Sequence, residues 1–561
     1  MFKFLKDKEK WKEIRSRDDY KLLRDQLWSE YDLVCKDKEI PQLPFDIWFE
    51  SIKTGNRKMF EDLYFIRRRQ LSVYALLSLI YPENQEYISK LENILCEICN
   101  EYSWCVPFHL PCDRLNSRNT IDLFAAETGL YLTEIKYVLS ERLNPLVSER
   151  ISEEVDKRII NAFRNGAFFF ENVKSNWAAV CGGAVGTVLL YEAPDAYMEL
   201  KPRIEKCMSN YLEGIGDDGS VSEGESYWAY GFGFYCLYND MLKRYTLDRL
   251  DYFRNEKVEK IAGFFSGICM SSGTVYSFSD CSQNLTYNIA LLYYLNKRFG
   301  VNVPPVEYGG LSLSKFSWAI RSFLYYDPDI KNTNIQNGVS YYDKLQCYIK
   351  RNDKYAFAIK GGHNMEEHNH NDVGSFVITA DNRQLLCDLG APLYTGSALS
   401  EKAYETEPQK SSFGHNVPII NGKGQGYGRE YFGTLTVSES DIKVDMKHAY
   451  LEKPEKLLRK VSLKEDSIIL TDEYDGTGSF SERFVSDIKP EIGEGYIRIS
   501  GMTISFNKDS FNADLNEIQT FHHSGKQRIV YLIDIIPKVK MNEAEIIFEF
   551  DAGVTRNGEK I

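Results

Sequence analysis

No stretch of 18 or more apolar residues occurs in the 561-residue chain, so no membrane-spanning helix is expected. The amino-terminal run MFKFLKDKEKWKEIRSRDDYKLL is broken by charge every few residues and holds no apolar core of signal-peptide length. As the sequence stands, the chain reads as cytoplasmic; removal of a signal would make it periplasmic or secreted. Positive charge is in deficit, with 68 Lys and Arg against 81 Asp and Glu and a formal net charge of −13. That balance speaks against nucleic acid and anionic membrane as partners. No fixed repeat period is present, which argues against a repeat array. The 12 cysteines are scattered and none follows Cys387, unlike a small secreted disulfide framework. The pair Cys96 and Cys99, followed by Cys105 and Cys112, has no second CxxC, and buried reduced thiols are expected there.

What is present is a globular composition, 43% hydrophobic and 27% charged, in a chain too long for one core. The first 325 residues read as consecutive helices. Apolar residues recur at helical spacing near 60–80, 84–101, 118–140, 152–170, 176–192, 198–213, 227–246, 254–271, 284–299 and 312–325. Short links between them suggest antiparallel helical pairs, as a solenoid or a closed toroid. The cluster Arg67-Arg68-Arg69 reads as a solvated helix face. After a polar link at 326–338, short alternating runs such as YAFAIKG, SFVITAD and RIVYLIDII signal a β-sandwich over 339–561. The fold class is therefore an α domain over 1–325 followed by an antiparallel β domain.

With only 8 His, their grouping is informative. His368 and His370 stand two apart at what reads as a strand entry, so extended backbone would project both from one face. A hairpin at Ala380-Asp381-Asn382-Arg383 would bring Asp388 beside the first strand, and His415 follows. Two His and one carboxylate with an open position suit zinc, with hydrogen-bonding loop histidines as the alternative. In the helical half, Ser175-Asn176-Trp177 precedes a small-residue helix, and Asp217 through Gly231 runs from a turn into Tyr227, Trp228 and Tyr230. Capping and core packing would each account for such stretches on their own.

Taken together these motifs resemble the heparinase II/III-like polysaccharide lyases. The β-domain signature is His368-Asn-His370-Asn-Asp372-Val-Gly-Ser375-Phe376 followed by Leu386-Cys-Asp388-Leu-Gly390 and Tyr394. The helical signature is Asp-Gly-Ser…Glu223-Gly…Tyr227-Trp228…Tyr230-Gly231, with Ser175-Asn176-Trp177 and Gly414-His415-Asn416 also in order. The resemblance covers roughly residues 100–480 and implies an (α/α) toroid followed by an antiparallel β-sandwich. It implies β-elimination at C4-O of a uronic-acid-containing polysaccharide or oligosaccharide, of glycosaminoglycan or alginate type, giving a 4,5-unsaturated uronate. Asn176 matches the carboxylate-binding position, Tyr227 the catalytic tyrosine and His368 the catalytic histidine. His370, Asp388 and His415 match the positions that hold one zinc ion between the two domains, a mainly structural ion. Where several relatives carry a His after the Asn, this chain has Trp177, and His109 or Arg429 are the candidate replacements. Trp177, Glu223, Tyr230, His109 and Arg429 are the candidate substrate-binding residues.

The partner implied is an acidic polysaccharide or oligosaccharide; the sequence leaves homo-oligomerisation open. Three alternatives stand. His368-Asn-His370-Asn-Asp372 also resembles the metallo-β-lactamase pattern of a metallo-hydrolase, but Val373 stands where the next His is expected. Asp218, Glu223 and Glu225 could serve a glycoside hydrolase as acid and base. A non-catalytic glycan-binding protein is the third.

Overall fold

The computed structural model describes residues 2–54, 56–110, 117–395, 397–398, 400–438 and 441–558. The chain divides into two compact units: 1–215, 227–262 and 287–332 form the first, and 216–226, 263–286 and 333–561 the second. The division is thus not one cut near 326–338. Two stretches of the helical half belong to the β unit. The segment 270–286 is rich in Ser, Thr and Gly, has no helical period, and folds on itself through the bridges Cys269↔Val275 and Thr274↔Asn284. Gln384 then accepts from Ser277 Oγ at 3.0 Å, and Asn382 accepts from the Gly273 amide at 2.8 Å.

The helical unit pairs its elements antiparallel, as the short links require. The helix Asn176–Glu192 packs between Pro194–Gly214 and Leu123–Val138. Its run AAVCGGAVG is buried all round because Gly182, Gly183 and Gly186 let Cys207, Phe234 and Tyr238 come within contact of the helix. Three helices precede those read from the periodicity: Lys8–Ser16, Lys21–Val34 and Phe45–Thr54. The expected helix at 152–170 is interrupted by a π-helical turn, Asp156–Ile160. Arg67 and Arg68 are not a solvated face. Both are buried on Glu101, with Arg68 Nη1 at 2.5 Å, while Arg69 pairs with Glu30. Glu101 lies a whole helical hairpin away in sequence, so local spacing could not reveal it. Cys99 and Cys105 are buried as expected and Cys96 half-buried; Cys112 lies outside the described residues. Among the described residues no helix is long and apolar enough to cross a membrane.

Among the described residues the β unit holds three antiparallel sheets. Five strands run in the order Gly338–Tyr342, Cys347–Arg351, Ala356–Lys360, Phe376–Ala380 and Arg383–Leu386. A nine-stranded and a four-stranded sheet complete it. Phe376 joins all three, with its ring 5.6 Å from Phe357, 5.9 Å from Phe484 and 5.9 Å from Phe548. The turn after Phe376–Ala380 places Asp381 and Asn382 at φ 49° and 58°, the left-handed pair that a two-residue hairpin needs. Below this core, Arg459 is fully buried and donates to Asp472, to Glu482 and to the carbonyls of Gly374 and Asn416 at 2.7 and 2.8 Å. It thereby fixes the backbone beside two of the histidine loops.

Candidate active site and metal centre

The segment 365–375 between the strands Gly362–Asn364 and Phe376–Ala380 is loop, not strand. His368 sits at φ 57°, a left-handed conformation rare for a residue with a Cβ. The strand-entry reading of His368 and His370 is therefore corrected. They share a target because the loop folds back, and that target is Asp280. Asp280 Oδ2 lies 2.9 Å from His368 Nδ1 and Oδ1 lies 3.2 Å from His370 Nε2. The Tyr394 hydroxyl donates to Oδ2 at 2.5 Å. Burial would raise the Asp280 carboxyl, but the bonds from both histidines hold it well below the usual carboxylate range. Burial lowers His368, and the same Asp280 contact outweighs it, so the ring titrates above its ordinary value.

His370, Asp388 and His415 converge with ligand atoms all within 4.8 Å of one another, and all three are buried. All three belong to the β unit. His415 Nδ1–H donates to the Ser411 carbonyl at 2.8 Å, which leaves its Nε2 lone pair facing inward. That nitrogen lies 3.2 Å from His370 Nδ1 and 3.3 Å from Asp388 Oδ2. With His370 Nε2 engaged on Asp280, its Nδ1 also points a lone pair inward. Two ring nitrogens and a carboxylate at this spacing could hold a metal ion, and such an N₂O set is of a kind that zinc accepts. Asp388 is set by Gly390, whose φ of 66° and close approach to the Cys281 carbonyl (2.3 Å from an added Cβ) exclude a side chain. The Gly390 amide donates to Asp388 Oδ1 at 2.7 Å. Asn416 ties the His415 loop to the sheets, donating to the carbonyls of Phe376 and Cys387 at 2.6 and 3.1 Å. Asp372 takes no part in this cluster; its carboxylate faces buried Lys360 at 3.2 Å, unlike a metal-ligand Asp of a metallo-β-lactamase pattern.

Glu223 also belongs to the β unit. Its carboxylate lies 3.6 Å from His368 Nε2, and burial pushes it up to about 7. Arg429 is exposed at the start of the strand Gly428–Ser438, where its charge helps lower His363 after burial has done so.

In the helical unit, Asn176 opens the helix Asn176–Glu192 and is 5% exposed. Tyr227 is half-buried in the first turn of Glu225–Tyr245. Gly231 lies one turn further along the same face. A Cβ there would meet Asn176 Cβ at 3.0 Å, so the missing side chain lets the two helices close at this point. Trp177 packs edge-on to His109 at 4.9 Å and against exposed Phe169 at 4.7 Å. His109 Nδ1 is engaged by Asp122 at 2.9 Å. His109 and Phe169 line a cleft of about 730 Å³ together with Lys157, Asn165 and Phe168. Tyr230 turns its hydroxyl inward, with Lys315 Nζ 4.0 Å from its ring centre. Asp280 and Tyr394 also bear on the site. Tyr394 closes the β-domain signature, but Asp280 stands in SFSDCSQ, where no spacing marks it.

Helical pairs followed by antiparallel sheets with a buried His–Asp–His cluster define a helical-toroid plus β-sandwich protein. Residues 339–527 match the family described as heparinase II/III-like, C-terminal. The resemblance read from His368 to Gly390 is thereby borne out, as is the order of α then β architecture. Heparinase III is similar over 99% of this chain and 85% of that one, at 14% identity and a TM-score of 0.63. A mutant of the heparan sulfate lyase HepC from Pedobacter heparinus is similar over 96% and 88%, at 12% identity and 0.60. The chondroitin AC lyase of Streptomyces coelicolor A3 is similar over 97% and 82%, at 10% identity and 0.57. At such identities the likeness is one of fold. No curated protein matches the chain.

Proposed function

We propose that this protein is a polysaccharide lyase that cleaves a uronic-acid-containing polysaccharide or oligosaccharide by β-elimination. The observation that carries the reading is His368. It is held through Nδ1 by Asp280, with Nε2 on its other side, next to a zinc-type cluster in a heparinase II/III-like domain. The solved proteins of the same fold include a heparan sulfate lyase and a chondroitin AC lyase.

In the reaction the C5–H bond breaks, its electrons form the C4–C5 double bond, the C4–O bond breaks, and the leaving oxygen takes a proton. The C5 proton is poorly acidic beside a charged carboxylate, so that carboxylate has to be stabilised as charge spreads into it. Asn176 does this by donating from its side-chain amide. Tyr227 moves the proton, taking it from C5 or returning one to the leaving oxygen. His368, its ring anchored through Nδ1 to Asp280, is the base for the epimer approached from the other face, acting through Nε2. His370, Asp388 and His415 would hold a zinc ion, whose positive charge would tie the two histidine loops to Asp388.

Tyr227→Phe keeps the ring and deletes the hydroxyl. Turnover, followed by far-ultraviolet absorbance of the unsaturated uronate, should fall about 10²-fold or more with KM little changed. His368→Ala should lose more on one uronate epimer than on the other, whereas Asn176→Ala should lose on both. Near-normal turnover in folded Tyr227→Phe would remove Tyr227 from the mechanism.

A further inference from the structure

We propose that the helical unit carries a seat for a neutral pyranose unit of a glycan, such as an N-acetylhexosamine, on the rings of Phe45, Trp48 and Tyr102. Binding there does not depend on the lyase reading, whereas its consequence for substrate choice rests on it.

The helix Phe45–Thr54 places Phe45, Trp48 and Phe49 on one face, since residues three and four apart are neighbours on a helix. Phe45 lies nearly parallel to Trp48 and to Phe49, each at 5.8 Å between ring centres, and Tyr102 meets Trp48 edge-on at 5.8 Å. These rings are not core. Phe45 is 73% exposed, Tyr102 55% and Phe49 48%. A cluster of large rings left in water marks a binding surface. Phe45, Trp48 and Tyr102 line one cleft of about 480 Å³, in the size range of small-ligand sites, with Gln42, Asn100 and Glu97 among its polar groups.

The lining chemistry selects the ligand. Flat rings suit the C–H face of a pyranose, and side-chain amides pair with its hydroxyls. Charge selects further. Among the described residues lining the cleft, Arg67 is the one cation. It is 3% exposed and donates to the Pro41 carbonyl at 2.6 Å and to Glu101 at 3.2 Å, with Glu97 3.6 Å away. The Glu97 side chain remains 40% exposed. Arg118 donates to the Tyr102 carbonyl at 3.2 Å and does not line the cleft. A uronate or sulfate seated here would face a carboxylate and a cation already paired, whereas a neutral sugar meets no such repulsion. The seat also adjoins the candidate substrate-binding residues. Trp48, Phe108 and Phe124 pack against one core cluster of Phe60, Tyr64 and Val106. The His109 ring stacks on Phe124 at 5.8 Å and meets Trp177 at 4.9 Å. Under the lyase reading, a polymer held at Trp177 has a neutral-sugar seat on the same unit, so chains that alternate uronate with hexosamine are preferred to all-uronate alginate.

Calorimetry with chitotetraose, a neutral N-acetylglucosamine oligomer that contains no uronate to eliminate, tests the seat. It should bind the full chain with a Kd of about 1 mM or tighter. Phe45→Ala and Tyr102→Ala remove exposed rings, so the double variant should fold, as circular dichroism would check, and should bind about 10-fold or more weakly. On the wild-type protein, free N-acetylglucosamine should displace chitotetraose at concentrations where free glucuronate, which has no 4-linked sugar to expel, does not. No binding of chitotetraose overturns the proposal whether or not the chain is a lyase. Unchanged binding in the folded double variant overturns it too, and displacement by glucuronate as readily as by N-acetylglucosamine overturns the selection for a neutral sugar. Ring-dependent binding by a protein that eliminates no uronate supports the seat and sinks the lyase reading alone.

Discussion

Replacing Gly231 by Ala should damage catalysis while leaving the fold nearly as stable. The added Cβ would stand 2.8 Å from Tyr211 Cε2 and 3.0 Å from Asn176 Cβ. Carbon atoms prefer about 3.5–4.0 Å, so the helix carrying Tyr227 and the start of the helix carrying Asn176 have to separate by roughly 0.5–1 Å. Overpacking of this kind costs about 1–3 kcal/mol, and Ala in a helix interior returns about 1 kcal/mol relative to Gly. The net loss is about 0–2 kcal/mol, a shift of a few degrees in Tm. A displacement near 1 Å at a reacting group costs about 10²-fold in rate. Turnover should therefore fall far more than stability, read from unsaturated-uronate absorbance alongside a helical circular-dichroism melt. Gly263→Ala is the control: it lies in the helix Glu256–Ile268 with nothing within 4 Å of the added atom. It should stabilise by up to about 1 kcal/mol and leave turnover unchanged. Full activity in Gly231→Ala would refute the idea that the spacing of Asn176 and Tyr227 depends on this contact.

Metal removal offers a second test. The protein should carry close to one zinc per chain, and His370→Ala should release it and lower Tm, because the ion ties loops together; a metal-free protein with unchanged melting would count against that. A third concerns pH. Burial pushes Glu225 from 4.5 up to about 7, so the folded state binds its proton more tightly than the unfolded state. That contribution is complete below pH 4.5 and is lost as pH rises through 7, a decline of about 3 kcal/mol that Glu225→Gln should remove. Denaturant titrations of both proteins at pH 5 and pH 8 measure it, and parallel pH profiles would contradict it.

The helices and strands were legible because their apolar residues recur at the periods that burial imposes. The helix Asn176–Glu192 and the hairpin turn at Asp381 and Asn382 lie where the pattern put them. The first helix, Lys8–Ser16, is not legible because six of its nine residues are charged. The candidate metal ligands were legible as residue types, and they converge in one buried cluster. The backbone of His368 was not legible. Two histidines at alternate positions look like a strand, and only Asp280, distant in sequence, holds them to one target in a loop. Arg67 and Arg68 teach the same lesson, for a charge run looks solvated until Glu101 arrives from the next helix.

The most direct test of the central claim is to digest a panel of heparan sulfate, hyaluronan, chondroitin and alginate in heavy-oxygen water and to analyse the products by absorbance and mass. Elimination adds no water across the broken bond. At least one polymer should yield far-ultraviolet-absorbing oligosaccharides with an unsaturated end and no heavy oxygen. Products that lack that absorbance and carry one heavy oxygen per cleavage would show hydrolysis instead and contradict the account.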